Sequence, residues 1–350
     1  MKFLNMRGAS RSALVALAAV LVTACGGATS TGTSNGPKKL DDLTVQMAYT
    51  WVSSQFYSMY LLGEQKGFYS KHGINVHFVA GTGSLTTVQL VANGKVAIAA
   101  EVDTGATARA IAQGAQIKMV AATLPTNPLA VLSRGDNPIN NPQQLIGKKI
   151  AIPPGTTQAQ IWPAFLAKNH LTNSQVTTLS LPATAVYQAL ATKQIDGYVS
   201  FSFSNIPLLQ ALNLHPVAML LSSYGITYTP GEGVVVQDSL IKSNPGLIRR
   251  FLLATQEAYQ YAMKHPSQAA AAGVALQPLD LKQSNAESQV TAVAQQFKLF
   301  PPPSGKSLFY MRESQWVSLL KLLTTYAGLT NAPNPTDCYT NSLLPSSPNA

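Results

Sequence analysis

Hydroxyl residues, small residues and an acid stand where short apolar runs of this chain give way to helical patterns, and from these positions it can handle a small molecule. Trp51, Ser53 and Ser54 follow the first such run, Gly83 and Ser84 the second, and Asp103 and Thr104 the third. A later set comprises Thr156, Thr157, Thr184, Phe201 and Ser204, with Tyr224 and Tyr228 further along. A helix N-terminus presents free backbone N–H groups, and a hydroxyl beside it adds a donor and an acceptor, so such positions hold polar ligands without bond chemistry. None of these positions is Arg or Lys, the residues that clamp a carboxylate or phosphate. A small anion would rely on helix N-termini and hydroxyls, whereas an aromatic wall with Asp103 suits a flat, amine-bearing heterocycle. Several positions have a second reading. Asp103 is either a ligand contact or the cap of the helix beginning at Thr104. Trp51 is core or a stacking platform, and its place after a strand end and before two serines favours the cleft. Tyr224 and Tyr228 are wall or surface, and Phe201 is equally balanced.

Catalytic and metal patterns are weak. The five histidines, His72, His77, His170, His215 and His265, are scattered, and the chain has two cysteines, Cys25 and Cys338, so no metal site and no cofactor is expected. Gly32-Thr33-Ser34-Asn35-Gly36 has the spacing of a nucleophile elbow but lacks the strand before it and the helix after it. Gly81-Thr82-Gly83 begins a dinucleotide fingerprint, yet Thr86 stands where the third Gly belongs.

The elements that must position these residues follow an alternating order. Strands are expected at Leu43–Tyr49, Ile74–Val79, Val96–Ala100, Lys118–Thr123, Lys149–Ile152, Val176–Leu179 and Gly197–Ser200, with helices between them. Such alternation argues for α/β architecture with parallel strands and crossover helices, and ligands then sit beyond the carboxyl ends of the strands. Leu214–Leu220 and Gly233–Val236 read as strands returning the chain to the first lobe. From Pro245 the pattern is helical, and from Asn331 it is Pro, Asn and Ser rich, which reads as a loose tail. With 46% hydrophobic and 11% charged residues the chain can bury a large core, and its 350 residues suit two lobes. Its formal charge of +10 is dispersed, without a basic cluster interleaved with aromatics, so no nucleic-acid partner is expected.

Lys2, Arg7 and Arg11 lead into an apolar run, Ala13–Val22, too short to span a bilayer, the pattern of a signal peptide. Leu21-Val22-Thr23-Ala24-Cys25 resembles the bacterial lipobox, which implies lipid attachment at Cys25 and an exported, membrane-anchored body. Gly26–Pro37 reads as a flexible tether. With Cys25 lipidated, Cys338 has no intrachain partner and reads as incidental.

Four segments resemble binding proteins of ABC importers for nitrate, aliphatic sulfonates, taurine and thiamine-pyrimidine precursors. They are Gly63-Glu64-Gln65-Lys66-Gly67-Phe68-Tyr69-Ser70-Lys71-His72-Gly73-Ile74-Asn75-Val76; Gly81-Thr82-Gly83-Ser84 with Gly94-Lys95-Val96-Ala97-Ile98; Asn141–Ala151; and Ala189–Tyr198. Ala97 departs from the family's Asp, and Lys193 from its Gly. The resemblance implies the type 2 periplasmic-binding-protein fold, two α/β lobes, each a mostly parallel sheet flanked by helices, joined by two crossings near Leu124–Leu132 and Val217–Val236. It further implies capture of a small-molecule ligand in the cleft and delivery to an ABC permease with its ATPase, by a monomer with no enzymatic activity. The boundaries expected are 1–24 signal peptide, 25–40 tether, 41–126 first lobe, 127–220 second lobe, 221–330 first lobe again and 331–350 tail. A sensor lipoprotein on the same fold and a thiamine-pyrimidine synthase-like enzyme are the competing readings; the enzyme would need the clustered His and Cys that are missing here.

Overall fold

A computed structural model describes residues 39–49, 56–226, 229–275 and 283–346. The expected signal peptide, Cys25, the tether, Trp51, Ser53, Ser54 and Tyr228 lie outside the described residues. The order is β1 (Asp41–Met47), α1 (Phe56–Gln65), α2 (Phe68–Lys71), β2 (Ile74–Val79), α3 (Ser84–Ala92), β3 (Ile98–Asp103), α4 (Thr104–Ala112), β4 (Ile117–Ala122) and β5 (Leu129–Ser133). A 3-10 turn at Pro142–Leu145 precedes β6 (Lys149–Ile152), α5 (Thr157–Lys168), β7 (Thr177–Ser180), α6 (Ala183–Ala191), β8 (Gly197–Phe201), α7 (Ser202–Ala211) and β9 (Val217–Leu220). Then come β10 (Glu232–Gln237), α8 (Asp238–Ser243), α9 (Pro245–Lys264), α10 (Pro266–Ala275), α11 (Gln283–Leu299), α12 (Glu313–Tyr326) and α13 (Pro335–Cys338).

Two five-stranded sheets result, ordered β2-β1-β3-β10-β4 and β7-β6-β8-β5-β9. In the first, β1 runs parallel to β2 and β3, and β10 runs antiparallel to β3 and β4. In the second, β6 runs parallel to β7 and β8, and β5 runs antiparallel to β8 and β9. Each sheet therefore has one reversed strand, and each reversed strand is the first one the chain makes after leaving the other sheet. The crossovers between parallel strands are short helices whose apolar faces cover the sheets.

Two strand expectations are corrected. Leu129–Leu132 lies inside the segment read as a crossing, yet with Ser133 it forms β5, fully buried in the interior of the second sheet. Leu-Ala-Val-Leu is apolar on both faces and carries no period, so an interior strand looks like a linker. Leu214–Leu220 does not return to the first sheet; its ordered part, β9, pairs with β5. The residues read as a loose tail are packed as far as they are described. Asn334 and Asp337 form a capping box around α13, Cys338 and Leu343 are buried, and Tyr339 bridges Met119 and stacks on Trp316 at 5.7 Å. Polar composition concealed a cap and two apolar anchors.

The C-terminal helices brace both sheets. The side chain of Asn244 accepts from Leu247 N at 3.1 Å and Pro245 opens the first turn, which fixes the start of α9. Its buried stripe includes Ile248, Phe251, Leu252, Thr255 and Tyr259, and Tyr69 stacks on Phe251 with centroids 5.7 Å apart. Burying each large side chain of this kind stabilises by about 1.5–3 kcal/mol. Further along, α11 reaches the second sheet, where Gln289 Nε2 donates to the Ser204 carbonyl on α7 at 2.9 Å.

Candidate functional site

The carboxyl edge of the first sheet gathers a buried polar cluster. Tyr49 follows β1, Ser84 opens α3, Asp103 ends β3 and Glu232 begins β10. The Tyr49 hydroxyl donates to Asp103 Oδ2 at 2.6 Å, Ser84 Oγ donates to the Tyr49 hydroxyl at 3.2 Å, and the Asp103 N–H donates to Ser84 Oγ at 3.0 Å. Tyr57 supports the ring from behind by donating to the Tyr49 carbonyl at 2.9 Å. Glu232 is the register partner of Asp103 across the antiparallel pair, so the two acidic side chains share one face of the sheet.

The electrostatics of this edge are those of carboxylates with little solvent. Burial pushes the Glu232 carboxyl well above its ordinary range, and the neighbouring Asp103 and Glu101 push it further. Burial, then Asp103 and Glu232, raise the Tyr49 phenol in the same direction, so its proton stays in place as a donor. Glu232 Oε1 is buried and has no hydrogen-bond partner among the described residues. Two residues earlier in β3, Glu101 is fully buried and accepts from the Tyr259 hydroxyl at 3.0 Å. It takes φ +59 where the β3–β10 register shifts, a left-handed conformation that costs a non-Gly residue of order 1–3 kcal/mol.

The second lobe approaches this edge at Gly155. Gly83, at φ +142 before α3, lies so near Gly155 that a Cβ placed on it would stand 3.7 Å from the Gly155 carbonyl. Thr156 caps α5, its Oγ1 donating to the Pro153 carbonyl at 2.7 Å and accepting from Ala159 N at 3.4 Å. The N-termini of α3 and α5 thus open towards the same gap. On the flank of that gap Arg109 Nε on α4 donates to Gln160 Oε1 on α5 at 2.7 Å.

The structure sorts the sequence-predicted residues. Gly83, Ser84 and Asp103 come together around Tyr49, and Thr104 joins them, its Oγ1 donating to the Pro230 carbonyl at 2.9 Å. Asp103 occupies the cap position of α4 and makes no side-chain capping bond there. Thr156 faces the gap but spends its hydroxyl on the local turn. Thr157 begins α5 and Thr184 is the second residue of α6, and nothing is described of their side chains. Phe201 is buried and stacks on Phe203 with centroids 6.0 Å apart, while Ser204 Oγ turns back to the Phe201 carbonyl at 3.3 Å. Tyr224 stands apart, its hydroxyl donating to the Asn140 carbonyl at 2.8 Å.

Three residues escaped the sequence reading. Tyr49 counted only as the last residue of a strand. Glu232 stood between two glycines in a stretch read as a crossing, and an acid isolated in Gly231-Glu232-Gly233-Val234 was the available signal. Asn205 is the polar centre of the second lobe, accepting from the hydroxyls of Tyr187 at 2.8 Å and Tyr198 at 3.0 Å and donating to the Phe201 carbonyl at 2.9 Å. Among the described residues no group of three His, Cys, Asp or Glu side chains is placed to hold a metal ion, and no helix is long and apolar enough to cross a membrane.

A family model described as NMT1/THI5 like matches residues 54–269, more than half of the chain. The riboflavin-binding protein RibY of Chloroflexus aurantiacus is 22% identical over 261 residues, covering 71% of this chain and 73% of that protein. The alkanesulfonate-binding protein SsuA from Xanthomonas axonopodis pv. citri, solved bound to MOPS, superposes with a TM-score of 0.65 at 14% identity, over 86% of this chain and 99% of that one. The periplasmic nitrate-binding protein NrtA from Synechocystis PCC 6803 superposes with a TM-score of 0.54 at 12% identity, over 71% and 69% of the two chains. At these identities the solved structures establish a shared fold, that of the periplasmic binding proteins.

Proposed function

Because the chain belongs to the NMT1/THI5-like family, we propose that it is the substrate-binding component of an ABC importer, holding a small nutrient between its lobes and presenting it to a membrane permease with its ATPase. The observation that carries this reading is the polar edge Tyr49–Ser84–Asp103 of the first sheet facing Gly155 of the second, with the chain crossing twice between them. Two lobes joined by two strands close about a hinge, and a ligand that contacts both lobes stabilises the closed form. The names of SsuA, NrtA and RibY mark the compounds to try first, namely sulfonates, nitrate and riboflavin. Taurine and pyrimidine-type thiamine precursors complete the set. The lipobox-like segment supports export and a lipid anchor at Cys25, which keeps a monomeric body beside its permease in the extracytoplasmic space. The reading assigns capture without bond chemistry.

Thermal shift of the purified chain against this panel tests the proposal. A rise in Tm with one class, with the compound recovered unchanged after incubation, is the expected result. Turnover of a bound compound would overturn the non-enzymatic part, and no stabilisation by any would overturn the assigned nutrient classes.

A further inference from the structure

The carboxyl end of the second sheet holds a cavity that the polar edge of the first sheet does not account for. It has a volume of about 470 Å³ and lies between the first half of α5 and the ends of β6 and β7. Pockets for small organic molecules run from about 300 to 1,000 Å³. Pro154, Pro163, Leu179 and Trp162 supply its apolar walls, and no charged side chain lines it among the described residues.

The walls are rigid where α5 forms them. Trp162 is 2% exposed and fixed from two sides, its Nε1 donating to Thr178 Oγ1 at 3.0 Å and its ring stacking on Phe165 with centroids 5.3 Å apart. Pro163 is exposed and stands inside the helix, where it lacks the N–H that would bond the Ala159 carbonyl four residues earlier. A proline is costly there, and this one lines the cavity together with Ala159. On the other side β7 is the edge strand of its sheet, so no further strand lies beyond Leu179 and the exposed Ser180.

The cavity adjoins the gap between the lobes. Gly155 lines it and is also the residue that approaches Gly83 at the carboxyl edge of the first sheet. One lobe thus brings hydroxyls and acids to the gap, and the other brings an uncharged wall of proline, leucine and indole beside it.

We propose that the ligand is elongated, with a polar head at the edge formed by Tyr49, Ser84 and Asp103 and an uncharged apolar tail, an aryl or alkyl group, lodged against Trp162 and Pro163. This rests on the reading of the gap as a capture site and adds the shape of what is captured. A charged group in the cavity would lose hydration and find no counter-charge, whereas an apolar group gains about fourfold in affinity for each methylene it buries. Nitrate has no tail and would leave the cavity unused.

Two homologous series test this by isothermal titration of the full chain carrying Cys25→Ser: methanesulfonate, butanesulfonate and phenylbutanesulfonate, and the corresponding primary amines. In the series whose head fits, the phenylbutyl member is expected to bind at least about tenfold more tightly than the methyl member. Ser180→Trp fills the cavity from an exposed position, and Pro163→Asp puts a charge in its wall. Each is expected to reduce that ratio to about twofold or less. A thermal melt confirms that both variants are folded. Equal affinity along both series overturns the tail cavity and leaves capture standing, and so does a ratio that either variant preserves. Absence of binding by every probe also overturns it, and capture falls with it only if the wider ligand panel fails as well.

Discussion

Arg109 and Gln160 join the two lobes directly, with Nε of Arg109 on α4 donating to Oε1 of Gln160 on α5 at 2.7 Å. The same guanidinium holds the Ala327 carbonyl at the end of α12 through Nη2 at 2.7 Å. One side chain therefore ties a helix of each sheet to the C-terminal bracing. Arg109→Met should cost about 1–3 kcal/mol, since it removes charged donors from two carbonyl-type acceptors. It should also open the lobes, which small-angle scattering reads as a larger radius of gyration. Gln160→Leu should open them too while sparing the Ala327 bond; an unchanged radius in both variants would show that the pair does not hold the lobes.

Glu101 makes stability depend on pH. Burial pushes its carboxyl up to about 8, partly offset by the hydroxyls of Tyr60, Tyr259 and Thr123, against an ordinary value of 4.5. Between those values the native state holds a proton that the unfolded chain has released, so stability falls as pH rises through that window. The contribution is complete below about 4.5 and gone above about 8. The difference in Tm between Glu101→Gln and wild type should therefore move in favour of the variant as pH rises from 4.5 to 8. A difference that stays constant over this range would count against a protonated Glu101.

Lys193 stands where the resembling family has Gly, and it keeps the left-handed backbone, with φ +62. The conformation costs a residue with a Cβ roughly 1 kcal/mol. Its compensation is an exposed ion pair with Asp136 at 2.9 Å, which is worth little in water. Lys193→Gly should therefore be neutral to stabilising, by up to about 1 kcal/mol, in urea unfolding. Clear destabilisation would mean that the ion pair outweighs the strain.

Asn205 serves two tyrosines at once. Asn205→Leu leaves the hydroxyls of Tyr187 and Tyr198 without their acceptor in a buried site, at about 1–3 kcal/mol for each. A drop of several kcal/mol in urea unfolding is expected, and a loss below about 1 kcal/mol would show that the phenols find other partners.

Cys338 should be inert in the folded protein. It is buried, and burial together with Asp337 pushes its thiol up to about 12. In a Cys25→Ser chain, a thiol reagent at pH 8 should label nothing until denaturant is added. Rapid labelling of the native protein would show that the packing of α13 opens readily.

Much of the fold was legible because it rests on local periodicity. Strands and helices up to Thr192 fall close to where apolar runs and Gly caps put them, and Gly67 and Gly73 take the positive φ that a helix end and a turn require. The exceptions have physical causes. β5 is apolar on both faces and so carries no period, and β9 was misassigned because pairing between distant strands leaves no mark on either strand alone.

The site divides along the same line. Ser84 and Asp103 are candidates legible in the sequence because each stands at a strand-to-helix junction, a position defined by neighbours in sequence. Glu232 and Tyr49 became site residues only when β10 entered the first sheet in reverse and set Glu232 against Asp103.

By itself the sequence determined the α/β alternation and most of the strand-to-helix junctions, because these follow from short-range spacing of apolar, hydroxyl and glycine residues. Only the tertiary structure decided that the carboxyl edge of the first sheet carries two acids. Charge balance at a buried point depends on which distant residues share that point, and the reversed strand that brought a second carboxylate there is a matter of sheet topology, not of local pattern.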